Sequence, residues 1–314
     1  MELNNINKQE VYDDDFSIHD LIEIIINSKR MFLNLFAIFF LAGCAYSFFS
    51  SNVYTSDSLL TIVDDSEAGG TGFQQMSNRY GGLASLVGVP LTNSSNAKSD
   101  LIIATIKSRT FFDHISSIPG IYPSLVAAKS YDPASKKLTL DSSIYDSSKD
   151  IWVAEKPSTA SSHYAYFLKK LSISADKKTG FINLNFTHAS PEFAFQMVQT
   201  IINEANNLTR RQHILQADQA LKFLNSEQLK TADIGTKESI ATLVNAQFKV
   251  KMLANVREDY IIRAIDPPVI SGWPSAPDRP RIIILTTLAG LIFGFFIALY
   301  RHYFSQSKKT RKVA

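Results

Sequence analysis

Two runs of nineteen residues, Met31 to Phe49 and Ile282 to Tyr300, carry no charge at all and bracket a polar middle. As helices each would extend about 28 Å at 1.5 Å per residue, close to the ~30 Å hydrocarbon core of a bilayer. A cleaved leader does not fit the first run. Thirty residues precede it and seven of them are acidic, Asp13 to Asp15 among them. Two membrane spans are therefore expected, at 31–49 and 282–300. Before the first, Ser17 reads as a helix cap, and Ile18, Leu21, Ile22, Ile25 and Ile26 form an apolar face. That pattern predicts an interfacial helix over Ser17–Lys29.

Between the spans the periodicity changes several times. Val53–Asp64 has strand composition with partial alternation, and Gly69–Gly88 is rich in Gly, Ser, Gln and Asn, which predicts a loop. Helical spacing over Ser99–Ile115 offers Leu101, Ile102, Ala104, Ile106 and Phe112 as core positions. Tyr131–Thr159 is polar and interrupted by Pro133 and Pro157, and reads mostly as loop. Leu171–Ala175 and Phe181–Phe186 alternate on either side of Asp176–Gly180, the pattern of a hairpin.

Ser190-Pro191 then opens a helix, with Ser at the cap and Pro at the first position. Ala194, Val198, Ile201, Ala205 and Leu208 keep a 3–4 spacing, and no breaker occurs before Gly235. A rod of about forty residues, ~60 Å long, is expected. A second helix follows over Thr236–Glu258, so that Gly235 marks an antiparallel hairpin or a kinked continuation. The helical rods occupy about 191–258. Gln212, Gln219 and Gln247 interrupt the apolar stripes, as in helices that pack on partners as well as on each other. Tyr260–Ile265 reads as a strand. Pro267, Pro268, Pro274, Pro277 and Pro280 then fill a linker over 267–280; the last three, three apart, would share one face of a polyproline II helix. Trp273 in this linker suits a membrane interface. Within the second span, Gly290 and Gly294 form a small-xxx-small pair that permits close helix contact.

Charge sharpens this outline into a topology. The net charge of +3 and a mean hydropathy near zero suggest an ordinary soluble chain until both are divided at the spans. Residues 1–30 carry three basic and seven acidic side chains, net −4, whereas 301–314 carry five basic and no acidic ones. Lys29 and Arg30 abut the first span and the basic tail follows the second, so both termini are expected in the cytoplasm and 50–281 across the membrane. Arg279 and Arg281 run mildly against that rule. A basic excess confined to a membrane-side tail speaks for headgroups and not for nucleic acid. Cys44, the sole cysteine, lies inside the first span and leaves the large domain without a disulfide.

Signatures of catalysis are missing from the sequence. Gly235-Thr236-Lys237 lacks the surroundings of a phosphate-binding loop, and neither His-Glu-x-x-His nor Gly-x-Ser-x-Gly occurs. The histidines His19, His114, His163, His188, His213 and His302 are scattered and not at metal-ligand spacing. The expectation is a protein that is not an enzyme and needs no cofactor.

Leu171–Leu208 and Val256–Arg281, the latter running directly into Ile282–Tyr300, stand in a telling order with the parts around them. A span, a small α/β unit, a long helical projection, a returning strand, a proline-rich linker and a second span follow one another. This resembles the polysaccharide co-polymerase, or Wzz chain-length determinant, family of bacterial inner membranes; the Asp-rich N-terminus and its amphipathic helix are similar too. The resemblance implies an α+β fold in which two transmembrane helices flank a periplasmic α/β base with a long projecting helical hairpin. It also implies a ring-like homo-oligomer that partners a Wzy-type polymerase and its lipid-linked glycan and sets the modal chain length of O-antigen or a related surface polysaccharide. The family's proline-rich motif and transmembrane glycines fall on Pro267, Pro268, Pro274, Pro277, Pro280, Gly290 and Gly294.

An adaptor of a capsule or exopolysaccharide export system, activating a separate tyrosine kinase, is the alternative. It requires a cytoplasmic docking segment, and the residues after Tyr300 offer little beyond charge. A periplasmic sensor is a weaker third reading, since no signalling module follows either span.

Overall fold

The computed structural model describes residues 29–63, 95–153 and 160–310. Apart from Lys29, the interfacial helix expected over Ser17–Lys29 lies outside the described residues, as does the Gly-rich segment Gly69–Gly88. The chain divides into two compact units: Ser51–Ser275, and the flanking Met1–Ser50 with Ala276–Ala314.

The flanking unit begins with helix α1 (Lys29–Phe49), long and apolar enough to cross a membrane. The central unit is mixed. Strand β1 (Tyr54–Ile62) leads to helices α2 (Ser95–Ile106) and α3 (Arg109–Ser116). The sequence reading of one helix over Ser99–Ile115 is thus corrected to two. Ser108 stops the first and caps the second, accepting the Phe111 N–H on its side chain at 3.1 Å. Leu101 and Ala104 lie on the solvent face of α2, while Ile102 and Ile106 of α2 and Phe112 of α3 reach the core.

A short helix α4 (Ile121–Val126) precedes two small antiparallel pairs, β2 (Ala128–Asp132) with β3 (Lys137–Leu140) and β4 (Tyr145–Asp146) with β5 (Ile151–Trp152). The stretch read as loop, Tyr131–Thr159, therefore contains strands. Its polar composition reflects their exposure rather than a lack of structure. Helix α5 (Ala160–Lys170) follows, then β6 (Leu171–Ala175) and β7 (Ile182–His188), which form the expected hairpin with Leu171 opposite Phe186 and Ala175 opposite Ile182. Its turn is held by Asp176, whose carboxylate accepts the Lys178 N–H at 2.8 Å, and by Gly180 at φ 74.

Helix α6 (Pro191–Lys230) starts where the Ser190-Pro191 signal places it, the Ser190 hydroxyl accepting the Phe193 N–H at 3.1 Å. It runs forty residues. Helix α7 (Ile234–Val256) returns antiparallel to it, with Lys251 paired to Asp218 at 2.7 Å. The joint lies at Thr231–Asp233 and not at Gly235. Asp233 caps α7 by accepting the Thr236 N–H at 2.8 Å, which leaves Gly235 inside the first turn. Ala217, Leu221 and Leu224 of α6 and Ile240, Gln247 and Ala254 of α7 are the buried positions of this pair.

Strand β8 (Ile262–Asp266) completes a four-stranded antiparallel sheet of order β6-β7-β1-β8. The strand nearest the N-terminus thus lies inside the sheet, pairing with β7 (Tyr54 opposite His188) and with β8 (Ile62 opposite Ile262). Leu60, Ile173, Ile182, Leu184, Phe186 and Ile262 from the sheet pack with Phe193, Met197, Val198 and Ile201 of α6 and with Phe111, Phe112 and Ile115 of α3 in one core. Burial of such side chains, each contributing about 1.5–3 kcal/mol, holds the unit together without a disulfide.

Helix α8 (Arg279–Thr310) closes the chain and includes the second membrane-length segment, Arg279–Arg301. It starts three residues before the expected span and continues through most of the basic tail. It packs antiparallel against α1, with Phe39 and Phe293 rings 6.2 Å apart.

Candidate functional site

The residues singled out in the sequence fall into two groups. Gly290 and Gly294 lie in α8 where it meets α1, and with Ala298 they form its buried stripe at a spacing of four. A Cβ on Gly290 would stand 2.6 Å from both Cβ and Cγ of Phe39; one on Gly294 would stand 3.2 Å from a ring carbon of Phe32. The close approach that the small-xxx-small pattern permits is therefore used between these two helices. The sequence reading missed the matching positions on α1. Gly43 and Ser47 are the buried residues of that helix, again four apart, and a side chain on Gly43 would overlap the Thr286 hydroxyl. The signal was the same small-xxx-small spacing, with Ser in place of the second Gly.

The prolines are distributed differently from the expected single row. Pro267 and Pro268 directly follow β8, Pro277 follows a cis peptide, and Pro280 is the second residue of α8. Its missing N–H is harmless there, because the first turn of a helix has no internal acceptor for it. The three-residue spacing of Pro274, Pro277 and Pro280 thus ends in a helix and does not make one polyproline face.

What Pro267 and Pro268 do is visible along β1. Neither can donate to a ladder, so β8 must stop pairing with β1 at Asp266. Two buried hydroxyls of β1 continue the contact. Ser58 donates to the Asp266 carbonyl at 2.7 Å and Ser56 to the Val269 carbonyl at 2.9 Å. Further on, the Ser275 N–H donates to the Val53 carbonyl at 2.8 Å, and the Ser275 and Thr55 hydroxyls are 2.7 Å apart. The proline-rich linker is thus hydrogen-bonded side by side with the first residues of β1. Ser56 and Ser58 were missed because serines at inward strand positions read as poor core, not as donors for a distant backbone.

Two polar arrangements support the unit. Asn206, buried in the apolar face of α6, accepts the Ile261 and Ile262 N–H groups at 2.8 and 3.1 Å and donates to the Ile262 carbonyl at 2.9 Å. One turn on, Arg210 donates to the carbonyls of Arg257 and Glu258 at 2.9 and 2.6 Å, and His213 is bonded to the Tyr260 hydroxyl at 2.7 Å. These three residues of α6 hold the passage from α7 into β8.

At the other end of the sheet, His188 is buried, donates from Nε2 to the Ser124 carbonyl at 3.1 Å and accepts the Ser190 N–H on Nδ1 at 3.1 Å. Burial pushes its pKa down to about 4, so the ring is neutral. Nearby, Tyr131 donates to Glu192 at 2.8 Å; burial and that carboxylate push its hydroxyl up to about 12. His163 is bonded to Tyr122, and His114 to Glu204 at 2.6 Å. With His213, each of these histidines thus has a structural partner, and among the described residues no three His, Cys, Asp or Glu side chains converge as a metal site would require.

Residues 14–117 match the family model described as Wzz, chain length determinant protein, which bears out the resemblance over that segment. Over 76 residues, 24% of this chain, the sequence is 34% identical to the capsule polysaccharide export inner-membrane protein KpsE of Escherichia coli. The match spans only 20% of that relative's length. A solved structure of a full-length bacterial polysaccharide co-polymerase is similar at 12% identity, with a TM-score of 0.41 over 92% of this chain and 99% of that one.

Proposed function

We propose that this chain is a non-catalytic polysaccharide co-polymerase that regulates the modal chain length of a surface polysaccharide made by a Wzy-type polymerase. In this reading both termini are cytoplasmic, 50–281 is periplasmic, and copies of the chain form a ring in the inner membrane beside the polymerase and its lipid-linked glycan. The observation that carries it is the extent of the Wzz match, which runs from before α1 through β1 to the end of α3. That portion joins an apolar helix to the strand inside the sheet. A second membrane-length helix packed on the first is in keeping with it.

Physically, a ring presents the same weak glycan contact many times. Linked weak contacts add as an avidity and not as a single affinity, so the dwell time of a growing polymer rises with its length. No bond is made or broken by such a device. Gly43, Gly290 and Gly294 act by setting how closely the two spans pair. Pro267 and Pro268 end β8 and pass the chain to the serines of β1.

The identity to KpsE favours one second reading, an inner-membrane adaptor for capsule export. A gel of surface polysaccharide from deleted and complemented cells separates the two. Loss of the modal band while polymer is still made is the expected result. Polymer retained inside the cell with no change of length favours the export reading. An unchanged surface ladder sinks the chain-length reading.

A further inference from the structure

Between the two places where the linker is fastened to β1, the chain leaves the surface and comes back. Val269 is held by Ser56, and Ser275 by Val53 and Thr55. The residues between turn tightly, the Ser271 hydroxyl donating to the Trp273 carbonyl at 2.7 Å. Gly272 at the tip has open space around it. This loop presents apolar side chains outward: Val269 is 57% exposed, Ile270 52% and Trp273 84%. An exposed Trp alone would mean little. Here it stands on a loop whose two ends are fixed, so its exposure is imposed by the fold and not by a loose chain.

Covalent reach says what lies near. Five residues separate Trp273 from Arg279, the start of the second membrane-length helix, so six Cα–Cα steps of at most about 3.5 Å span no more than ~21 Å. On the other strand, three residues separate Phe49 from Val53, four Cα–Cα steps with a reach of ~14 Å. The loop is therefore tethered by short links to both membrane-length helices. Trp is the side chain best suited to the headgroup layer, with an apolar ring and one polar N–H.

We propose that the loop Val269–Ser275 is a membrane-interface anchor, in which Trp273 and Ile270 insert into the headgroup layer of the bilayer that the two helices span. The inference rests on the membrane reading of those helices and adds a lipid contact made by the large unit itself.

The chain contains two tryptophans, Trp152 and Trp273, so the Trp152→Phe variant leaves Trp273 as sole reporter. The full chain, reconstituted into phosphatidylethanolamine–phosphatidylglycerol vesicles, is first floated on a density gradient and then read by fluorescence. The expected result is flotation, with emission shifted to the blue of the urea-unfolded chain, quenched by lipids brominated high on the acyl chain and little affected by acrylamide. Because Trp152 packs against Tyr122 and Tyr145, the difference spectrum between wild type and Trp273→Phe reads the same residue with Trp152 in place. Flotation with solvent-like, acrylamide-quenched emission overturns the anchor and leaves the membrane reading standing. Blue-shifted emission untouched by brominated lipid means a protein surface, such as a second copy, covers Trp273, and also overturns it. Failure to float removes the membrane reading and the anchor together.

Discussion

Asn206 holds Ile262 by both ends of its amide, donating to the Ile262 carbonyl at 2.9 Å and accepting the Ile262 N–H at 3.1 Å. The same oxygen takes the Ile261 N–H at 2.8 Å. Asn206→Leu keeps the side-chain volume but strands these backbone groups in the core, where each unsatisfied group costs about 1–3 kcal/mol. A loss of at least ~2 kcal/mol is expected from thermal or denaturant unfolding of the detergent-solubilised chain. An unchanged midpoint would show that water replaces the amide.

The glycines of the helix pair are not equivalent. At Gly290 an added methyl meets Phe39 at Cγ and at Cβ, and the Cβ cannot move without moving the helix. At Gly294 it meets one side of the Phe32 ring at the longer distances of 3.2 and 3.3 Å, and at Gly43 a hydroxyl that can rotate. Gly290→Ala is therefore expected to weaken the pair most, by about 1–3 kcal/mol, and Gly294→Ala clearly less. Unfolding in mixed micelles gives the order directly; under the proposed chain-length role, a broadened polysaccharide ladder should follow the same order.

Replacing both Ser56 and Ser58 by Ala removes the donors that hold the Asp266 and Val269 carbonyls. Each hydrogen bond contributes about 1 kcal/mol net. The global loss should be modest, but amide exchange over 269–275 should quicken while the β6–β7 hairpin is unaffected. Equal acceleration in both places would mean the serines support the whole sheet instead.

His188 makes stability depend on pH in a predictable direction. Its folded value is about 4, below the ordinary 6.5, so between these limits the unfolded chain binds a proton that the folded chain refuses. Stability is indifferent to this group above pH ~6.5 and falls as pH drops toward ~4, by about 3 kcal/mol in all. Burial lowers the value for His163 too, so the diagnostic quantity is the difference between wild type and His188→Gln. Identical slopes for the two would remove His188 from the account.

The features legible in the sequence were those whose cause is local. Apolar runs gave the two membrane-length helices. Asp176 to Gly180 gave the hairpin turn, and Ser190-Pro191 gave the start of α6 to the residue. Nonlocal order was not legible. Nothing near Tyr54 says that it faces His188, or that β1 lies between β7 and β8. Asn206 was invisible for a related reason: a polar residue in an apolar helical face reads as an interruption until the strand it serves is placed beside it. Two errors were avoidable. Ser108 and Asp233 are ordinary caps, and weighing them above the continuing apolar spacing and above Gly235 would have placed both helix breaks correctly. The glycines of α8 were found because two glycines are conspicuous; Gly43 and Ser47 followed the same rule with less obvious residues.

Val53 and Ser275 are joined by a hydrogen bond of 2.8 Å, so the large unit begins and ends at one spot. In the grammar of the chain it is a parenthesis inserted into a two-helix hairpin. Adding or deleting whole turns in α6 and α7 together would change the reach of the rods by about 5.4 Å per turn. The junction at Val53 and Ser275 would stay as it is. The hairpin and the inserted module can therefore vary independently, one in the pairing of its two apolar helices, the other in size.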